Sequence, residues 1–236
     1  MNFRGLLGYM IASVIASTAI LSAQISPNAG SEIRLHLVSS VPGKHRPDPA
    51  VVWLEPLPGT KVPPFVPHER YTLVQKNRVF IPHLQVIPAG TTVQFPNEDP
   101  FFHNVFSLYN GRRFDLGLYE AGASKAVTFS RPGISYIFCN IHPEMSAVIV
   151  SLDTPIYAVA NASDAFLLKH VPPGDYEMNL WVEGVPQATL SQLKHRLHVA
   201  SGTMDLDAIR IPLENATPSH TNEFGHSYDR TPKSPY

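Results

Sequence analysis

Cys139-Asn140-Ile141-His142-Pro143-Glu144-Met145 sets a thiol, an imidazole and a thioether along one short loop, each separated from the next by two residues. Three soft or borderline donors at that spacing can face a single point. Such a set suits copper moving between two oxidation states. Thiolate and imidazole serve both states, and a weak thioether completes a distorted trigonal site. A second imidazole is missing from the loop. It stands upstream in Asn97-Glu98-Asp99-Pro100-Phe101-Phe102-His103-Asn104-Val105-Phe106, where His103 ends a polar turn and opens a strand. A strand lying beside the one that delivers Cys139 brings His103 across to the thiol.

Working outward, short stretches rich in Val, Ile, Thr, Phe and Tyr alternate with Pro and Gly, the pattern of strands joined by turns. Strands are expected at residues 32–38, 50–55, 71–75, 84–87, 91–96, 104–107, 125–129, 133–139 and 146–152, enough for a two-sheet sandwich. Almost no helix is expected. Residues 42–49 and 56–67 hold so many prolines that they read as surface loops, since proline cannot donate to a sheet ladder. Pro88-Ala89-Gly90 and Arg131-Pro132-Gly133 read as sharp turns.

These residues resemble the cupredoxin, or blue-copper, family, whose sites join a His-Asn pair after such a turn to a later loop bearing Cys, His and Met. The resemblance is carried by residues 84–152, including the approach Val86-Ile87-Pro88-Ala89-Gly90-Thr91-Thr92-Val93-Gln94-Phe95, while residues 32–79 fit it only by strand count. It implies a Greek-key β-sandwich holding one type 1 copper ion, with His103, Cys139 and His142 in the plane and Met145 axial. It further implies that Asn104 ties the two ligand-bearing segments together, and that the protein carries single electrons between redox partner proteins.

Each residue also has a plainer reading. Cys139 fits an inert buried thiol, Met145 ordinary core, and the histidines turn positions. Glu144 is a possible oxygen ligand in place of Met145. His83 reads as a satisfied structural or exposed histidine, and His195, His198, His220 and His226 as solvated side chains. The sequence has no His-x-His pair of the kind that holds further coppers, and no nucleophile with a positioned base is legible, so a carrier is expected rather than an enzyme. Copper storage or delivery uses the same ligands and is the rival reading.

After residue 153 the strand pattern restarts. Phe166-Leu167-Leu168-Lys169-His170-Val171-Pro172-Pro173-Gly174-Asp175-Tyr176, followed by Trp181, resembles the carboxypeptidase regulatory-like, transthyretin-like sandwich and implies a structural or interaction role. The expected organisation is therefore all-β: a signal peptide at 1–23, a cupredoxin sandwich at 31–152, a smaller β-sandwich at 153–212 and a disordered tail at 213–236. Residues 6–21, after Arg4, are apolar apart from small Ser, Thr and Gly residues, and either cleavage after Ala19 or Ala23 or retention as an anchor fits them. A periplasmic or secreted location is expected.

Eighteen Lys and Arg against nineteen Asp and Glu leave a formal net charge of −1, which argues against nucleic acid or an anionic membrane surface as partner. Cys139 is the only cysteine, so an intramolecular disulfide is excluded, and the thiol must be buried, reactive or metal-bound.

Overall fold

A computed structural model describes residues 30–40, 49–67, 70–108 and 111–212. The expected signal peptide and tail lie outside them. In chain order the elements are β1 (Ser31–Ser39), β2 (Ala50–Pro56), β3 (Tyr71–Thr72), β4 (Val74–Lys76), β5 (Val79–Ile81), β6 (Leu84–Pro88), β7 (Thr91–Pro96), β8 (His103–Ser107) and β9 (Phe114–Tyr119). Then follow β10 (Ser124–Phe129), β11 (Gly133–Phe138), β12 (Ser146–Leu152), β13 (Tyr157–Val159), β14 (Ala165–Val171), β15 (Gly174–Val182), α1 (Gln187–Gln192), β16 (His195–Val199), β17 (Thr203–Asp205) and β18 (Ile209–Ile211). The fold is all-β apart from that short helix, as the spacing of turn residues predicts.

The first sandwich faces a sheet ordered β10-β7-β3 against one ordered β6-β12-β11-β8-β9. Its interior holds Leu73, Phe80, Val93, Phe95, Val105, Phe129, Ile137, Cys139, Met145 and Ile149. β8 and β11 are antiparallel neighbours through Phe106 and Phe138. Stepping back along β8 and forward along β11 leads to the same end of the sheet. His103 and Cys139 therefore leave the sandwich together.

The second sandwich corrects the expected boundary. β1 and β2 were expected within the first sandwich, but β1 pairs with β14, β17 and β18, and β2 pairs with β13 and β15. The physical reason lies in β1, where Ile33, Leu35 and Leu37 form a period-2 apolar face that is completed by Phe166, Leu168 and Val171 from β14. The described residues thus pass from the second sandwich, through β1 and β2, to build the first, and then return.

β12 joins the two cores. Ala147 and Ile149 point into the first sandwich, whereas Val148, Val150 and Leu152 belong to the cluster that holds Leu54, Met178, Leu180 and Trp181. A strand covered on both faces reads as a continuous apolar run rather than an alternation, and Ala147-Val148-Ile149-Val150 is such a run. Across this contact the Trp181 Nε1–H donates to the Tyr136 hydroxyl at 3.0 Å.

Candidate metal centre

His103 opens β8, and Cys139 directly follows β11. The loop beyond Cys139 is short enough to be closed by its own backbone: the Met145 N–H donates to the His142 carbonyl at 3.0 Å and the Cys139 N–H to the Met145 carbonyl at 3.3 Å. Asn104 ties the two segments as the resemblance implies. Its Oδ1 accepts the Asn140 N–H at 3.2 Å, and its Nδ2 donates to Asp115 at 2.7 Å.

The result is a triangle of donor atoms. Cys139 Sγ lies 3.8 Å from His103 Nδ1 and 3.6 Å from His142 Nδ1, and the two nitrogens are 3.1 Å apart. Among the described residues this is the one group of three or more His, Cys, Asp or Glu side chains close enough to share an ion. Met145 is fully buried at the far end of the loop, in the same core cluster as Cys139. Glu144 is exposed, and His83 is engaged elsewhere. His195 is exposed and outside the cluster, as is His198, which pairs with Asp175. His220 and His226 lie outside the described residues.

The orientation of His103 is set by a residue that sequence reading passed over. Asp99 Oδ2 sits 2.8 Å from His103 Nε2, both side chains being buried. A carboxylate only accepts, so Nε2 carries the proton and the Nδ1 lone pair faces the triangle. Asp99 is itself held by the backbone N–H groups of Asn77 at 2.6 Å and Arg78 at 2.9 Å, presented by the left-handed turn between β4 and β5. Burial works against charge on Asp99, but the Arg78 amide, the His103 ring and the Asn77 amide outweigh it and hold the carboxyl below its ordinary range. Nothing in Asn97-Glu98-Asp99 beyond a polar turn signals this role.

Burial pushes the Cys139 thiol up, while backbone N–H groups of Asn104, Ile141 and His142 pull in the opposite direction. Burial also lowers His142, with the neighbouring His103 adding to the effect. Both shifts work against free charge. A cation at the centre reverses the first shift and agrees with the second, because thiolate and neutral imidazole are the forms that bind it.

Phe101 packs on both rings, its centroid 5.1 Å from that of His103 and 5.7 Å from that of His142, and the Arg78 guanidinium lies over the Phe101 ring, 5.2 Å from its centroid. Pro100, Ile141 and Pro143 are exposed, whereas Phe101 is only partly so. The large apolar side chains left open near the loop are Phe102, Leu118 and Ile141, at 55%, 58% and 46% exposure. Leu118 enters because β9 pairs it with Asn104.

No protein-family model matches the chain, and no curated protein matches it. Among solved structures it is similar to a copper-containing nitrite reductase from Thermus scotoductus SA-01, with 27% identity over 42% of this chain and a TM-score of 0.34. That match spans 25% of the reductase chain, so it concerns a minor part of it. A purple cupredoxin from Nitrosopumilus maritimus matches at 22% identity over 35% of this chain and 99% of its own, with a TM-score of 0.32. Amicyanin from Paracoccus versutus matches at 23% identity over 38% of this chain and 92% of its own, also with a TM-score of 0.32.

Proposed function

We propose that this chain is an exported type 1 copper protein that carries single electrons, with His103, Cys139 and His142 as the strong ligands and Met145 as the weak one. The observation that carries the reading is the triangle of one sulfur and two Nδ1 atoms, with Cys139 and His103 buried and His142 half-buried. The donor set fits copper: soft sulfur and borderline nitrogen favour it over calcium or magnesium, which require oxygen. When bound, copper supplies the Cu(II)/Cu(I) couple.

The residues of the chain supply the rest. Asp99 fixes the tautomer and angle of His103. Asn104 keeps the strand bearing His103 in register with the loop bearing Cys139. Phe101 screens the space between the two imidazoles from water, and half-buried His142 offers the route by which an electron reaches the surface. Around it, Phe102, Leu118 and Ile141 form an apolar contact for redox partner proteins, suited to brief encounters because it does not demand matched charges.

The deciding experiment is an optical and voltammetric study of protein reconstituted with copper. One ion per chain, an intense visible thiolate-to-copper band and reversible cycling without metal loss are expected. Release of the ion on reduction favours storage or delivery, and a stoichiometric but colourless complex removes the Cys139 ligand from the proposal.

Two variants test the supporting parts. Asp99→Asn keeps the shape but removes the charge on the His103 partner, and is expected to weaken Cu(II) binding by about 10-fold, the lower end of what such hydrogen bonds contribute. Chelator competition measures it, and unchanged affinity leaves Asp99 with a folding role only. Leu118→Glu puts a carboxylate on the proposed contact, and should slow electron self-exchange by about 10-fold at low salt through like-charge repulsion, with the visible band unmoved. The slowing should recede as salt is raised. A self-exchange rate equal to the parent's places the contact elsewhere.

A further inference from the structure

His83, which the metal reading leaves unused, stands at the point where the two sandwiches and the ligand loop meet. It precedes β6, and its carbonyl accepts the Val148 N–H at 2.8 Å. Its ring makes two further contacts: Nδ1 lies 3.1 Å from the carbonyl oxygen of Ser146, and Nε2 lies 2.8 Å from Glu183 Oε1. Ser146 is the residue after Met145 and the first of β12, while Glu183 directly follows β15 of the second sandwich.

Both partners of the ring are acceptors. A neutral imidazole has one N–H and satisfies one of them, whereas the imidazolium has two and satisfies both. We infer that His83 is a proton-operated clasp, fastening the second sandwich to the exit of the Cys139–Met145 loop and thereby making the properties of the metal centre depend on its protonation. This rests on the copper reading for its effect on the metal, but the clasp itself requires only the hydrogen bonds above.

The surroundings agree in sign. The hydrogen bond that the ring donates to Glu183 raises the His83 pKa above its ordinary value, burial opposes it, and the Glu183 charge and the Ser146 carbonyl add to the rise. Glu183 is the charged group acting on the ring, from the end of β15; β12 contributes a neutral carbonyl. A raised folded-state pKa means that the clasp stabilises fully below the ordinary histidine value near 6.5, and that its contribution is lost as pH rises through the higher folded-state value. Since the ring is 42% exposed, the ion pair is screened and the effect on global stability is modest. Local opening at the loop exit is the more sensitive readout.

Reduction potential across pH, for the copper-loaded parent, His83→Gln and Glu183→Gln, tests the inference. The parent should show a step in potential above about pH 6.5, absent from His83→Gln and displaced to lower pH in Glu183→Gln. His83→Lys, which keeps a cation across this range, should hold the low-pH potential throughout. A step that persists in His83→Gln, or a parent with no step, overturns the coupling. Amide exchange at Ala147 and Val148 in the metal-free parent separates the clasp from the copper reading. A His83-dependent rise in exchange over the same pH range supports the clasp even in a chain that forms no blue centre, and pH-independent protection overturns it. Should His83→Gln fail to fold, the Glu183→Gln displacement decides alone.

Discussion

Copper-loaded Cys139→Ser protein is expected to be colourless and to lose more copper affinity than the roughly 10–100-fold that removal of a supporting hydrogen bond costs. The sulfur is one corner of the triangle, 3.6 and 3.8 Å from the two ring nitrogens, and a serine hydroxyl at that corner is neither soft nor deprotonated near neutral pH. The substitution is nearly isosteric, and the backbone N–H groups of Asn104, Ile141 and His142 that face the thiol can also donate to a hydroxyl. The metal-free variant should therefore keep its fold, so that loss of colour is not loss of structure. Visible absorption and chelator competition on the loaded protein, with circular dichroism on the metal-free form, give the answer. A variant that retained the parent's band would remove Cys139 from the ligand set.

The site was legible because its chemistry is concentrated in a few residues of unusual type. A lone cysteine followed at fixed spacing by His and Met, with a His-Asn pair upstream, needs little knowledge of the fold to suggest a common point. Asn104 was legible through family resemblance. Asp99 was not, because a carboxylate in a polar turn looks the same whether it faces water or a buried imidazole, and only the approach of the β4–β5 turn from elsewhere in the chain decides that. Leu118 was hidden for a related reason: β9, around Gly117, has weak alternation and was not expected as a strand, so nothing placed it beside β8.

The partition of strands between the sandwiches is less legible. Strand count alone cannot say which sheet a strand joins, and strand count is all that links residues 32–79 to the first sandwich. The signal that pointed the other way was in β12. Its unbroken apolar run requires a cover on both faces, and the second cover has to come from outside the first sandwich.

That shared strand carries the last prediction: Trp181→Ala should destabilise the whole chain by about 3–5 kcal/mol, the range for emptying a buried tryptophan site, in one cooperative transition. Trp181 is fully buried, pairs through β15 with Val51 of β2, and lies in the cluster that Val148, Val150 and Leu152 enter from the first sandwich. Its ring stands 6.4 Å from that of Tyr136, three residues before Cys139 on the chain, and its Nε1–H ends on the Tyr136 hydroxyl. Tyr136→Phe removes that acceptor while keeping the ring, and should cost about 1–3 kcal/mol for a buried donor left without its partner. The double variant should cost less than the sum, because a tryptophan already absent cannot lose its acceptor twice. Urea unfolding followed by circular dichroism measures all three, and following the copper band in parallel shows whether the metal centre is lost in the same transition. Coincident curves are expected, since β12 cannot leave one core without leaving the other. If Trp181→Ala instead melted the second sandwich at low urea while the blue band survived to the parent's midpoint, the two sandwiches would be independent folding units and the shared strand merely a contact.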